Sequence, residues 1–167
     1  KAVALDGFNT LFHNEPELWY PTFDRLVREY GLPVDGLAFF KHWQRYERRF
    51  SETRTKMSNP WDSPPFKTYQ EAWGESFQRV FQDMGMERDA RTFTQAMVEA
   101  LASREPFPDA IPALERLGGL CKVAILSNAD NAYLHPLLQR QPHHTPARSG
   151  SGLGVSVAGN YPRHPAP

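Results

Sequence analysis

The chain has 167 residues, with 19 basic and 19 acidic side chains and a formal net charge of zero. This length is enough for a domain with its own hydrophobic core. The balanced charge, without a basic stripe, argues against nucleic acid or an anionic membrane as partner. No apolar run approaches the roughly 20 residues that cross a bilayer. We therefore expect a cytoplasmic protein that binds neither nucleic acid nor membrane, and the composition leaves its oligomeric state open.

The first predicted element is a strand at residues 2–5, which ends at Asp6. A short apolar run bounded by turn residues is typical of a fully buried strand. Ligands of open α/β sheets bind at the carboxyl ends of strands, and a carboxylate there suits a nucleophile. The Asp6-Gly7 pair is equally typical of an ordinary turn, so this stretch alone leaves both interpretations open.

Helices are predicted for the long segment that follows, residues 13–105. Apolar residues recur at helical spacing in four stretches, and a proline-containing loop interrupts them; the helices are 16–30, 37–52, 66–84 and 88–104, and the loop is 57–65. All four tryptophans lie in this segment, and we expect them in its core: Trp19, Trp43, Trp61 and Trp73. The alternative is that one or two of them shape a substrate pocket.

A charge-dense stretch, residues 41–54, lies in the second of these helices and contains several arginines, among them Arg45. A solvated helix face is the simpler interpretation. The alternative is that one arginine holds a carboxylate or phosphate group of a substrate.

A second buried strand is predicted at residues 123–126, and it ends in the polar pair Ser127-Asn128. An amphipathic helix that stops at Gly118-Gly119 precedes it. Residues 141–167 then change in character, because they are rich in proline and glycine and lack apolar periodicity. We expect this tail to be disordered or non-native sequence and its histidines, His143 and His144, to bind no metal.

The two strand ends resemble the first two motifs of the haloacid dehalogenase (HAD) superfamily of aspartate-nucleophile hydrolases. The first runs from Asp6 to Leu11, and the second is Ser127 in Leu-Ser-Asn-Ala-Asp. The resemblance implies an α/β fold, with a Rossmann-like parallel-sheet core that is incomplete here and an inserted four-helix cap. The expected core is residues 1–12 and 106–140, the cap is 13–105, and the tail is 141–167.

The resemblance also implies roles for single residues. Asp6 would form a covalent aspartyl intermediate, Thr10 and Ser127 would bind the anionic group of a small substrate, and Asn128 would position it. For Thr10, a helix N-cap is an equally good interpretation. The cap arginine of the family's haloacid dehalogenases corresponds to Gln44 here, and Arg45 is the nearest basic side chain.

The sequence favours no single substrate between a phosphate ester and a 2-haloacid. Phosphatases of the family carry a general acid two residues after the nucleophile, where this chain has Phe8. Phe8 therefore favours carbon–halogen chemistry, whereas Gln44 weighs against it. A phosphatase would bind Mg²⁺ through Asp6, the backbone carbonyl of Phe8 and later acidic residues, and a dehalogenase would need no metal.

The family's catalytic lysine and late acidic residues have no counterpart. The sequence has no lysine after Lys122 and no acidic residue after Asp130. We therefore expect this chain to be a truncated and impaired hydrolase. The alternatives are a non-catalytic remnant or binding module of the same fold and, more weakly, a helical interaction domain.

Overall fold

The computed structural model describes residues 1–141. These residues form two compact units: Lys1–Glu15 with the chain from Leu101 onward, and Pro16–Ala100. We call them the sheet unit and the helical unit. The predicted tail lies outside the described residues except for Gln141, and so do His143 and His144. Within residues 1–141, no helix combines the length and apolar character that crossing a bilayer requires.

The helical unit contains the four predicted helices. They are α1 (Tyr20–Tyr30), preceded by a 3-10 turn at Pro16–Trp19, then α2 (Gly36–Thr53), α3 (Tyr69–Asp83) and α4 (Ala90–Ala102), of which residues up to Ala100 belong to this unit. The predicted loop contains one 3-10 turn, Pro60–Asp62. Two of the helices begin with side-chain caps. Asp35 accepts a hydrogen bond from the Ala38 N–H at the start of α2, and Thr68 forms a capping box with Glu71 at the start of α3.

Aromatic side chains form the core of the helical unit. Five phenylalanines from four helices are at most 2% exposed: Phe23, Phe39, Phe77, Phe81 and Phe93. The ring centre of Phe77 lies 6.0 Å from that of Phe23, 5.9 Å from that of Phe39 and 5.6 Å from that of Phe93. These spacings are those of favourable tilted and edge-to-face pairs, which add to the burial of apolar area.

A glycine allows α1 and α2 to approach each other closely. Gly36 is buried, and a Cβ atom at this position would lie 2.8 Å from the Cα of Asp24 on α1. Any other residue would push the two helices apart, because backbone atoms cannot yield as a flexible side chain does.

The expectation that all four tryptophans lie in the core is wrong for one of them. Trp19, Trp43 and Trp73 are buried and contact one another, with ring centres 6.2–6.4 Å apart. Trp61 is 78% exposed. It lies in the 3-10 turn of the predicted loop, which has no amphipathic helix to carry the side chain into the core.

Up to Gln141, the sheet unit contains a parallel two-stranded sheet and two helices. Strand β1 (Ala2–Leu5) pairs with β2 (Lys122–Ile125), so that Ala2 is opposite Lys122 and Leu5 is opposite Ile125. Helix α5 (Ala110–Gly118) precedes β2, and α6 (Asn131–Gln139) follows it. The two predicted strands and the predicted helix before β2 are confirmed, with strand boundaries that differ by at most one residue.

The prediction of fully buried strands is wrong for β1. Ala2 and Ala4 are exposed, and Val3 and Leu5 are half-buried. Among the described residues, β1 has a single neighbouring strand, so much of its surface stays open. Strand β2 is better covered, because Val123 and Ile125 are both buried.

Candidate active site

The parallel pairing brings the ends of β1 and β2 to the same edge of the sheet. The Leu126 N–H donates a hydrogen bond of 2.9 Å to the Leu5 carbonyl, which extends the ladder one residue beyond the strands. Asp6 is the first residue after β1, and Ser127 is the second residue after β2. The two chemical groups predicted from the sequence therefore belong to one edge of one sheet, where ligands of α/β proteins bind.

The segments that follow β1 and β2 come close together at Gly7 and Ser127. A Cβ atom at Gly7 would lie 3.3 Å from the Ser127 Oγ, which is tight contact. The Ser127 side chain is 8% exposed, and its hydroxyl has no hydrogen-bond partner within residues 1–141. A buried hydroxyl without a partner is costly, and a bound oxyanion at this edge would supply one.

Asp6 itself is exposed to solvent. Among the described residues, no side chain forms an ion pair or hydrogen bond with its carboxylate. A carboxylate that is accessible and carries no internal partner is available to react with a substrate.

The loop after Asp6 is held by its own backbone. The Gly7 carbonyl accepts hydrogen bonds from the N–H groups of Leu11 and Phe12, at 2.8 and 3.0 Å, and the Asn9 N–H donates to the Phe12 carbonyl at 2.7 Å. Asn9 has a φ of 58°, a left-handed conformation that asparagine tolerates better than most residues. The loop is thus a defined turn that presents Asp6 at one end and Thr10 near the other.

Thr10 is exposed in this loop. Its alternative interpretation as a helix N-cap is wrong, because the next helical turn in the chain starts only at Pro16. Its proposed contact with substrate stays a prediction.

Phe8, two residues after Asp6, belongs to an aromatic cluster. Its ring centre lies 6.4 Å from that of Phe12 and 5.8 Å from that of Tyr133 on α6. The side chain is half-buried. The position that would hold a general acid in a phosphatase is therefore occupied by an apolar surface.

The two remaining predicted residues are Asn128 and Arg45. Asn128 is exposed in the turn between β2 and α6. Arg45 belongs to the helical unit, where its guanidinium forms an ion pair of 3.1 Å with Asp83. Its predicted role in binding substrate stays a prediction.

The described residues at this edge offer few donors for a magnesium ion. Mg²⁺ requires six oxygen ligands in near-octahedral geometry. Among residues 1–141, no three His, Cys, Asp or Glu side chains lie close enough together to share an ion. Asp6 and the backbone carbonyl of Phe8 are the two candidate donors, and a complete shell would need more.

A charged cluster in the sheet unit has no counterpart in the sequence predictions. The His13 Nδ1 donates to the Glu15 carboxylate at 3.0 Å, and this bond lowers the pKa of Glu15. Burial lowers the pKa of the Arg104 guanidinium to about 10, and the nearby Glu15 carboxylate partly offsets this. About 90 positions separate Arg104 from Glu15, so no local pattern could predict their approach.

No protein-family model and no curated protein sequence match this chain. Solved structures do. The L-2-haloacid dehalogenase of Xanthobacter autotrophicus is 25% identical, with a TM-score of 0.57 over 83% of this chain and 51% of that chain. A defluorinating L-2-haloacid dehalogenase is 19% identical, with a TM-score of 0.59 over 83% of this chain and 55% of that one.

A HAD-hydrolase of Bacillus subtilis, solved with bound magnesium, is 11% identical, with a TM-score of 0.61 over 83% of this chain and 58% of that chain. This chain therefore spans little more than half the length of each of these proteins.

Proposed function

We propose that this chain, which has the fold of the haloacid dehalogenase-like (HAD) hydrolases, carries the nucleophile of a hydrolase for a small anionic substrate. The solved structures confirm the predicted resemblance to this superfamily and its α/β class with inserted helices. The substrate is a phosphate ester or a 2-haloacid, and Asp6 is the attacking group.

One observation carries this proposal: the parallel pairing of β1 with β2, which joins the Asp6 end of one strand to the Ser127 end of the other. The exposed carboxylate and the buried, unpartnered hydroxyl are complementary parts of such a site. A stiff strand orients the nucleophile, and the hydroxyl donates to an anionic group of the substrate.

The proposed reaction has two steps. An Asp6 carboxylate oxygen attacks the carbon that bears the halogen, or the phosphorus of a phosphate ester. A bond from carbon or phosphorus to the Asp6 oxygen forms, and the halide or the alcohol oxygen leaves with the electron pair of the broken bond. Water then hydrolyses the aspartyl intermediate and restores the carboxylate.

The aromatic cluster around Phe8 bears on the leaving group. An alkoxide needs a proton as it departs, and general acid catalysis of this kind is worth roughly 10²–10⁴-fold. Phe8 cannot supply a proton, whereas a halide leaves without one. The half-buried ring therefore supports the haloacid over the phosphate ester.

Around the nucleophile, Thr10 and Ser127 would donate hydrogen bonds to the anionic group, and Asn128 would orient it. Arg45 stays the candidate, named from the sequence, for a positive charge that binds this group. A guanidinium suits this role because it binds carboxylate and phosphate groups in a two-pronged geometry.

A second candidate function is a binding module of the same fold that holds an anion without turnover. The absence of lysine after Lys122 and of acidic residues after Asp130 favours it. A lysine beside the nucleophile would balance the negative charges of Asp6 and of the substrate, and the family's later lysine has no counterpart in this sequence.

The test measures hydrolysis of a 2-haloacid and of a generic phosphate ester by the whole chain and by the Asp6→Asn variant. Loss of a nucleophile is expected to reduce turnover by at least about 10³-fold. Asp109→Asn is the matched control, because Asp109 is an exposed acid of the sheet unit that makes no side-chain cap bond. Equal activity in wild type and Asp6→Asn would remove the nucleophile assignment, whereas anion binding without any turnover would favour the binding module.

A further inference from the structure

A groove between α2 and α3 lies wholly within the helical unit, and none of the predicted site residues line it. It has a volume of about 190 Å³. One wall comes from α2 and the other from α3, each through residues spaced one and two turns apart. The lining includes Tyr46, Arg49 and Phe50 from α2, and Glu75, Ser76 and Arg79 from α3.

The carboxylates beside this groove already have partners. The Lys67 ammonium bonds both oxygens of the Glu75 carboxylate at 2.7 Å. Asp83 accepts hydrogen bonds through one oxygen from His42, Arg45 and Tyr46, at 2.8, 3.1 and 2.5 Å. The Glu75 carboxylate in the lining and the Asp83 carboxylate that is bonded to Tyr46 are therefore already engaged by other groups.

Two guanidinium groups in the lining have no such partner in the described part of the chain. Neither Arg49 nor Arg79 has a carboxylate within ion-pair distance among residues 1–141. The Arg79 guanidinium lies 5.8 Å from the centre of the Tyr46 ring, a cation–π contact that limits where it can go. Two like charges thus line one small groove, and the carboxylate in its lining, that of Glu75, is bound by Lys67.

We propose that this groove binds a small oxyanion of the phosphate class, held between the guanidinium groups of Arg49 and Arg79. Guanidinium groups recognise phosphate through parallel N–H donors, and two of them balance its double charge. The hydroxyls of Thr53 and Tyr46 donate elsewhere, to the Arg49 carbonyl and to Asp83, so the arginines supply the side-chain donors. The Phe50 side chain in the lining offers an apolar surface to an organic substituent on the anion.

The experiment is a calorimetric titration of the full chain with inorganic phosphate at low ionic strength. We expect saturable binding with a dissociation constant on the order of 1 mM or tighter, weakened by added salt. The Arg49→Gln/Arg79→Gln variant should bind at least about 10-fold more weakly. Because both arginines are exposed, this variant should fold, and circular dichroism checks that it does.

The matched control, Arg25→Gln/Arg91→Gln, removes the same two charges from the same unit. Both of its arginines are exposed and already paired, with Glu29 and Asp89. The control should bind phosphate like wild type. Equal weakening in both double variants, or no saturable binding by wild type, would overturn the proposal.

A variant that is expected to bind phosphate more tightly provides a check, because misfolding could explain a loss of binding but not a gain. Glu75→Gln removes the negative charge from the groove and frees Lys67, so phosphate should bind about 2- to 5-fold more tightly. The Ser127→Ala variant distinguishes phosphate binding in this groove from phosphate binding at the sheet edge. Phosphate binding that is lost in Ser127→Ala but kept in Arg49→Gln/Arg79→Gln would overturn the groove and leave the proposed hydrolase site standing.

A second ligand distinguishes free phosphate from an organic phosphate. Phenylphosphonate has the same charged head and an aromatic ring that can lie against Phe50. Tighter binding of phenylphosphonate than of phosphate, reversed by Phe50→Ala, supports an organic phosphate as occupant. Equal affinity for the two supports free phosphate.

Discussion

The two units of this protein distribute burial and chemistry in opposite ways. The helical unit has a dense aromatic core in which Phe23, Phe39 and Phe77 are fully buried. The sheet unit carries the candidate nucleophile, but its first strand is half open, and Leu120 and Leu126 beside its second strand are 82% and 57% exposed. The candidate nucleophile therefore lies in the less covered unit.

This difference has a physical basis. A helix bundle satisfies its backbone hydrogen bonds locally, so each helix needs only one buried face. A parallel strand needs neighbours on both edges and layers on both faces, and the two strands found within residues 1–141 provide only part of this. The helical unit is thus closer to self-sufficient than the sheet unit is.

Two natural probes allow the units to be followed separately. All four tryptophans belong to the helical unit, and the chain's single cysteine, Cys121, belongs to the sheet unit. Tryptophan fluorescence therefore reports the first unit, and the rate of thiol labelling reports the second.

The largest expected effect is that of Phe77→Ala in the aromatic core. Phe77 is fully buried and contacts rings from α1, α2 and α4. We expect the free energy of unfolding to fall by about 3–5 kcal/mol, from lost burial and the cavity left behind. Urea denaturation followed by tryptophan fluorescence measures it. Trp61→Ala, at a site 78% exposed, is the control and should change stability by less than about 0.5 kcal/mol.

Next in size is Leu137→Ala in α6 of the sheet unit. Leu137 is fully buried, and we expect a loss of about 2–4 kcal/mol. Labelling of Cys121 should accelerate in this variant. Leu120→Ala, at a site 82% exposed, should leave the labelling rate unchanged. If both variants label alike, the sheet unit lacks the buried core that the structure gives it.

A smaller effect is expected from Thr68→Ala at the start of α3. The Thr68 hydroxyl accepts from the Glu71 N–H at 3.1 Å, and the Glu71 carboxylate accepts from the Thr68 N–H at 2.8 Å. Removing the cap should cost about 1 kcal/mol. Thr68→Ser keeps the hydroxyl and should recover most of the loss in the same denaturation experiment; failure to recover would mean that the methyl group matters more than the cap.

The positions of the helices and strands were largely predictable from sequence, whereas the burial of individual residues and the contacts between distant segments were not. Helical spacing of apolar residues predicted α1 to α4, because this signal is local. Burial of β1 and of Trp61 was predicted wrongly, since burial depends on which elements lie nearby in the folded chain. At the candidate site, the strand ends were predicted from two short motifs. The contact between Gly7 and Ser127, and the engagement of Arg45 by Asp83, depend on pairing across the fold and left no local pattern.

The smallest effect concerns Asp83 and pH. The hydrogen bond from the Tyr46 hydroxyl, followed by that from His42, lowers the pKa of Asp83. A carboxyl whose folded pKa lies below its unfolded value adds stability above the unfolded pKa, and that contribution is lost as pH falls through the folded one. Asp83→Asn should therefore destabilise the helical unit at pH 7 and flatten the loss of its stability on acidification below about pH 4.

Fluorescence-detected urea titrations at pH 7 and at pH 3 measure both effects. Asp62→Asn, which removes an exposed partner of Lys56 in the same unit, is the control and should change neither. An unchanged acid profile in Asp83→Asn would mean that the three donors on α2 contribute nothing to how α2 and α3 hold together.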